Sequence, residues 1–303
     1  MKLSKNQLKQ IRYFFEYLLA IPFFLMLKPF NLKQKGKFGM FLGEYVMYPI
    51  LKWKQKKRYN ILKKNIGIIY KEKFTPLQED KIIKEYCSNT VKIFTESLGH
   101  KQMTKQWLKK NVQTKGIEKL VEAHRNGRKV ILASAHIGNW EIAHKYLYEV
   151  YNINITALYR KQNNTMLDEA YMKVRKHIEL IEKRDKSSLK KMISSLNNGR
   201  IIVALLDQTD RRHGIPIELF GKKTYFPSAI TKLAMKNDAY IFCGYCHHSS
   251  ESKNTFTLAF EEPITYDSNS TTETVTQEIF SHFEQWIKKY PTQWFCLIQD
   301  IWK

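Results

Sequence analysis

Residues Val130 to Ala135 form a short apolar run, Ser134 its one polar residue, that passes directly into His136-Ile137-Gly138-Asn139-Trp140-Glu141. A run this short, β-branched at its start and without polar alternation, suits a strand buried on both faces of a parallel sheet. Gly138 permits a sharp turn, and Asn139 is a good helix N-cap, so Trp140 and Glu141 are expected to open a helix. A strand, a tight turn and a helix in that order are one half of a βαβ unit, which all but commits the chain to an α/β fold. The pattern also carries chemistry. A carboxylate in the first turn of a helix is kept ionised by the macrodipole, so Glu141 is expected to accept a hydrogen bond from the His136 imidazole. An imidazole fixed in this way, at a strand end where open α/β sheets bind ligands, is a competent general base for a hydroxyl.

Strand and helix signals alternate from Gly116 onward. Helices are expected over 117–125, 140–150, 164–177, 187–196 and 272–289, and strands over 153–159, 179–182, 200–206, 238–247 and 255–260. Two further helices, 58–70 and 79–98, precede the sheet. The expected architecture is a mostly parallel central sheet flanked by helices, with strand C-termini on one edge. That edge collects His136, then Tyr159 and Arg160, then Asp207 and Gln208, from three separate strands.

The string His136 to Glu141 resembles the H-x4-(D/E) block of the lipid A biosynthesis lauroyl/myristoyl acyltransferases, the late acyltransferases of lipopolysaccharide assembly. The likeness runs from about Arg58 to about Trp294. It takes in Tyr159-Arg160, Asp207-Gln208 and the segment Leu219-Phe220-Gly221, where the family's leading phenylalanine has become Leu219. The family's basic C-terminal ending is replaced here by Trp294-Phe295-Cys296-Leu297. The resemblance implies a glycerolipid-acyltransferase-like sandwich and transfer of an acyl chain from a thioester to a lipid hydroxyl, without an acyl-enzyme. His136 would be the base and Glu141 its orienter. Arg160 would stabilise an oxyanion or clamp a phosphate, while Asn139, Tyr159, Asp207, Gln208, Phe220, Gly221 and Thr224 would bind substrate. The implied donor is acyl-acyl carrier protein and the implied acceptor an anionic lipid, a lipid A precursor first. A phosphatidylinositol mannoside or an aminolipid is the alternative. No cofactor and no metal are implied, and the implied location is the inner membrane with the catalytic part facing the cytoplasm.

Charge placement agrees with an anionic partner. The chain carries a net charge of +23, and its first 75 residues hold 17 Lys and Arg against three Glu and no Asp. These charges flank the greasiest segment, Ile11 to Phe30, whose uncharged core from Tyr17 to Leu27 is shorter than the roughly 20 residues of a full span. No small-residue cleavage site follows it, so residues 1–37 are expected to be a retained anchor, spanning or interfacial, and 38–303 the acyltransferase domain. Phe38 to Trp53 would lie along the same interface or open the globular part.

Other chemistries fit poorly. Cys243-Gly244-Tyr245-Cys246-His247 matches the c-type haem attachment pattern, but its position in a strand sends the two thiols to opposite faces. Zinc would need two further ligands at suitable spacing, and only His247 and His248 are near. Ser134 lacks a nucleophile elbow. A nucleic-acid-binding protein is the remaining reading of the charge, yet no finger, RNP-like motif or basic recognition helix is present, so no nucleic acid partner is expected.

Overall fold

The computed structural model describes residues 5–175, 177–249 and 256–302. The chain begins with α1 (Lys5–Leu27) and α2 (Leu32–Leu42), followed by two wide π-helical turns, Gly43–Met47 and Ile50–Lys54. Then come α3 (Lys56–Tyr70), α4 (Pro76–Ser97) and α5 (Lys105–Asn111). Strand–helix alternation follows: β1 (Val112–Lys115), α6 (Ile117–Arg125), β2 (Val130–Ser134), α7 (Trp140–Tyr151), β3 (Ile155–Tyr159), α8 (Thr165–Val174), β4 (Ile178–Glu182), α9 (Ser188–Asn197) and β5 (Ile201–Leu205). A hairpin of β6 (Ile215–Leu219) and β7 (Lys222–Phe226), then α10 (Ala229–Lys236), β8 (Tyr240–His248), β9 (Phe256–Phe260) and α11 (Thr272–Lys289), lead into a C-terminal tail.

Seven strands form one sheet in the order β1-β9-β8-β2-β5-β3-β4. From β8 to β4 all neighbours are parallel; β9 runs antiparallel to β8, and β1 parallel to β9. The mostly parallel sandwich expected from the alternation is therefore observed. Residues Val130 to Ala135 are all buried, as a central strand covered on both faces requires. Alternate residues serve different cores. Ile131, Ala133 and Ala135 pack with Ile66 of α3, Tyr86 of α4 and Phe283 of α11, whereas Val130 and Leu132 pack with Leu120 of α6 and Ile142 and Leu147 of α7. Cys243 and Cys246 likewise fall into the two separate cores, as the strand geometry required, and both thiols are free and buried.

α2 lies tightly on α4. A Cβ at Gly43, just past its end, would collide with the Cys87 carbonyl oxygen, so only glycine allows this approach. Residue 37 lies inside α2, and Lys35 and Gly39 of that helix are buried against the globular part. α1 is, among the described residues, the one helix long and apolar enough to cross a membrane, over Leu8–Leu27. It exposes Phe14, Phe15, Leu18, Phe24, Leu25 and Met26. Its middle is nevertheless tied to the domain, since Asn164, the N-cap of α8, donates from Nδ2 to the Tyr13 carbonyl at 2.9 Å and to Glu16 at 3.2 Å.

The tail after α11 is anchored from two sides. Asn65 of α3 donates to the Leu297 and Gln299 carbonyls at 2.7 and 2.8 Å, and the Tyr86 hydroxyl of α4 donates to the Phe295 carbonyl at 2.9 Å. This places the tail across the C-terminal end of β2.

Candidate active site

β2 and β5 pair in a register that sets Ser134 beside Leu205. Two residues further along each chain stand His136 and Asp207, and their side chains meet. His136 Nδ1 lies 2.6 Å from Asp207 Oδ1. The other carboxylate oxygen accepts from the His136 backbone N–H at 2.9 Å and from the Trp294 indole N–H at 2.8 Å. An ionised carboxylate only accepts, so the imidazole proton belongs on Nδ1 and the Nε2 lone pair is left for chemistry. Burial would raise the Asp207 carboxyl, but the facing His136, the ring and indole hydrogen bonds and the backbone N–H together hold it below the usual carboxylate range. Asp207 is 1% exposed, while the His136 side chain keeps 15% of its surface open.

The expected His136–Glu141 dyad is thereby corrected. Glu141 does open α7, but it is buried facing the other way, where it forms an ion pair with Arg175 and accepts from His144 Nε2 at 3.1 Å. Position in sequence favoured the acid five residues away; strand register delivers the one 71 residues away. Asn139 stands at the N-cap position of α7 without capping it. Its Nδ2 donates instead to the buried carboxylate of Glu96, at 3.1 Å.

The His136 loop is built to hold this geometry. Gly138 has φ +55°, a left-handed conformation, and a Cβ there would collide with the Cys246 carbonyl oxygen. Its N–H donates to the Gln293 carbonyl at 3.0 Å, and the His136 carbonyl accepts from the Phe295 N–H at 2.8 Å. Gly138→Ala is therefore expected to cost about 1–3 kcal/mol of stability and to misplace the imidazole. Thermal denaturation and turnover of the variant measure the two effects separately.

Trp140 meets the His136 ring edge-on at 5.0 Å, and Phe295 lies 6.0 Å away. Cys296 Sγ is 3.8 Å from Nδ1, on the carboxylate side of the ring. Burial, with the Asp207 charge added, pushes this thiol well up, so it stays protonated and is no nucleophile.

The remaining expected residues divide into two groups. Tyr159 and Arg160 end β3 and Gln208 follows Asp207, all on the same sheet edge. Arg160 is exposed and, among the described residues, has no hydrogen-bond partner. Lys183, just after β4, joins them: its N–H donates to the Tyr159 carbonyl at 2.9 Å, and its ammonium feels both the attraction of Asp207 and the repulsion of Arg160. The second group, Phe220, Gly221 and Thr224, belongs to the β6–β7 hairpin, which was not foreseen. Phe220 and Gly221 are its two-residue turn, both at positive φ. The Phe220 ring packs on Trp302 at 6.0 Å, Trp302 on Trp294 at 6.4 Å, and Thr224 donates to the Ile301 carbonyl at 2.9 Å. Phe220 and Thr224 thus support the tail behind Trp294, and through it Asp207, while Gly221 at the turn is exposed. Lys183 did not stand out in the sequence, and Trp294 did so only as the limit of the family likeness, not as a partner of Asp207.

A groove of about 740 Å³, lined by neither His136 nor Asp207, is linked to the His136 loop through Glu96, which accepts from Asn139. Leu32, Met40, Trp107 and Phe256 give it apolar walls, and Lys33, Lys37 and Lys92 a basic side. Glu96 sits in it, nearly buried, gathering Asn139, His248 Nε2 at 2.9 Å and Lys92 at 3.9 Å. Asn139 Oδ1 and His248 Nδ1, both buried, have no hydrogen-bond partner among the described residues.

The family model for bacterial lipid A biosynthesis acyltransferases matches residues 1–303. The chain belongs to this family. It is an acyltransferase. Among characterised relatives, the phosphatidylinositol mannoside acyltransferase of Mycolicibacterium smegmatis is 22% identical over 227 residues, covering 74% of this chain and 73% of that protein. The phosphatidylinositol mannoside acyltransferase of Mycobacterium tuberculosis is 22% identical over 192 residues, 62% of this chain and 58% of its own length. The crystal structure of the 1-acyl-sn-glycerophosphate acyltransferase PlsC from Thermotoga maritima aligns with 82% of this chain and 94% of its own, at 14% identity and a TM-score of 0.36, too distant to bear on the argument.

Proposed function

We propose that this acyltransferase moves a fatty acyl chain from acyl-acyl carrier protein to a hydroxyl of a lipid A precursor, with His136 as general base. The observation that carries the reading is the His136 imidazole, 15% open to solvent and backed at Nδ1 by a buried, ionised Asp207. Nε2 takes the proton of the acceptor hydroxyl as its oxygen attacks the thioester carbonyl. The tetrahedral oxyanion collapses, the carbon–sulfur bond breaks, and the imidazolium returns its proton to the leaving thiolate. Asp207 stabilises the imidazolium and fixes the ring, the role first expected of Glu141. Arg160 and Lys183 bring positive charge to the sheet edge, for the oxyanion or an acceptor phosphate. The groove suits an anionic amphiphile, with apolar walls for hydrocarbon and lysines for phosphate.

α1 is the membrane anchor in this reading. Because Asn164 grips it at Tyr13, it lies along the interface with its phenylalanines down, rather than crossing the bilayer. The basic N-terminal quarter meets anionic headgroups of the inner membrane from the cytoplasmic side, and the same charge steers the acidic carrier protein.

A second reading has one observation behind it: both mycobacterial relatives are phosphatidylinositol mannoside acyltransferases. Mass spectrometry of lipids from a deletion strain separates the two. Lipid A lacking one acyl chain supports the first; unchanged lipid A, with a mannoside or another glycolipid underacylated, replaces it with the second.

A further inference from the structure

We propose that His100, His144 and His177 form a binding site for one divalent transition metal ion of the zinc class, separate from the acyl-transfer centre. The three residues come from distant parts of the chain. His100 lies in the single 3-10 turn after α4, His144 on α7, and His177 immediately before β4. One ring nitrogen of each lies within 4.8 Å of the other two.

The geometry fits such an ion. His144 Nδ1 and His177 Nε2 are 3.2 Å apart, and two nitrogens bound tetrahedrally at about 2.0–2.1 Å would stand about 3.3 Å apart. The His100 ring centre is 4.7 Å from that of His177 and 5.8 Å from that of His144. His144 Nε2 is held by Glu141 Oε2, which accepts its proton and leaves the Nδ1 lone pair facing His177. A carboxylate bonded to the far nitrogen of a ligating imidazole is the usual outer support of a metal site. Glu141 is itself fixed by Arg175.

A hydrogen-bonded cluster of imidazoles without an ion accounts for less. His177 Nε2–H donating to His144 Nδ1 satisfies that pair, but His100 Nε2 is buried and has no partner among the described residues. An orphaned, desolvated imidazole nitrogen beside two others is explained by a ligand that all three share. Among the described residues, Lys145 pairs with Glu149 at 2.5 Å and Arg175 with Glu141. Three imidazoles leave one tetrahedral position for water or a further donor. The ion would pin the end of α4 and the start of β4 to α7, whose first turn carries Trp140 against His136.

The test uses the full-length chain in detergent, stripped with chelator and titrated with Co(II) and Zn(II). Wild type is expected to bind one equivalent, to show the visible bands of tetrahedral Co(II), and to melt at a higher temperature with Zn(II). His177→Gln, at the half-buried and most forgiving position, is expected to lose at least tenfold in affinity with an unchanged circular dichroism spectrum. His136→Ala should bind as wild type does. Absence of binding by wild type overturns the proposal, as does binding that survives His177→Gln or disappears with His136→Ala.

Discussion

Asp207→Asn is expected to reduce kcat on the order of 10²- to 10⁴-fold with little change in KM, and His136→Ala to abolish acyl transfer. The amide cannot act as the negative partner of Nδ1–H. It also competes to donate to His136 or to the Trp294 indole, which already donates to Oδ2. The imidazole then loses both its tautomer and the charge that stabilises its protonated form. Steady-state kinetics with a labelled acyl thioester gives the split between kcat and KM. An unchanged kcat in Asp207→Asn removes Asp207 from the mechanism. The pH dependence of stability has a definite sign. Because the folded Asp207 carboxyl titrates below its ordinary value of about 4, its contribution is complete above that pH and is lost as the pH falls through the lower folded value. Wild type should therefore lose stability toward acid more steeply than Asp207→Asn, as denaturant titrations from pH 5 down to about 2 would show.

Much of this site could be read from the chain, and the part that could not has a physical reason. The strand, turn and helix around His136 were legible because each uses local chemistry: a buried apolar run, a left-handed glycine and a helix-opening Trp-Glu. Asp207 stood out as a strand-end acid. Its union with His136 was not legible, because it depends on β5 lying next to β2 in the Ser134–Leu205 register, a fact of topology rather than of spacing. Glu141 misled for the complementary reason. Five residues suggest proximity, but the first turn of α7 rotates the carboxylate toward α8 and β4, where Arg175 waits. The β6–β7 hairpin escaped notice because Phe220 occupies a positive-φ position that ordinarily marks Gly or Asn. Its energy is recovered in packing on Trp302 and in a hydrogen bond from its N–H to Glu284 at 2.6 Å.

The corrected place of Glu141 carries the second large effect. Glu141→Leu is expected to destabilise the fold by about 3–5 kcal/mol, because it removes the buried carboxylate that pairs with the Arg175 guanidinium. Burial lowers that guanidinium in wild type, but an arginine does not give up its proton at neutral pH, so it cannot escape the cost by neutralising. His144 loses its hydrogen-bond acceptor at the same time. For a chain of this length the thermal midpoint should fall on the order of 10 °C. Turnover per folded molecule, measured well below that midpoint, should stay near that of wild type, because no atom of Glu141 bonds the His136 ring. Pairing Glu141→Leu with Arg175→Met removes both charges, and most of the lost stability should return, since a buried ion pair is commonly worth no more than apolar residues of its size. An acid that oriented the catalytic imidazole would behave in the opposite way: its loss would lower kcat at an unchanged melting temperature, and no second substitution at Arg175 would repair it.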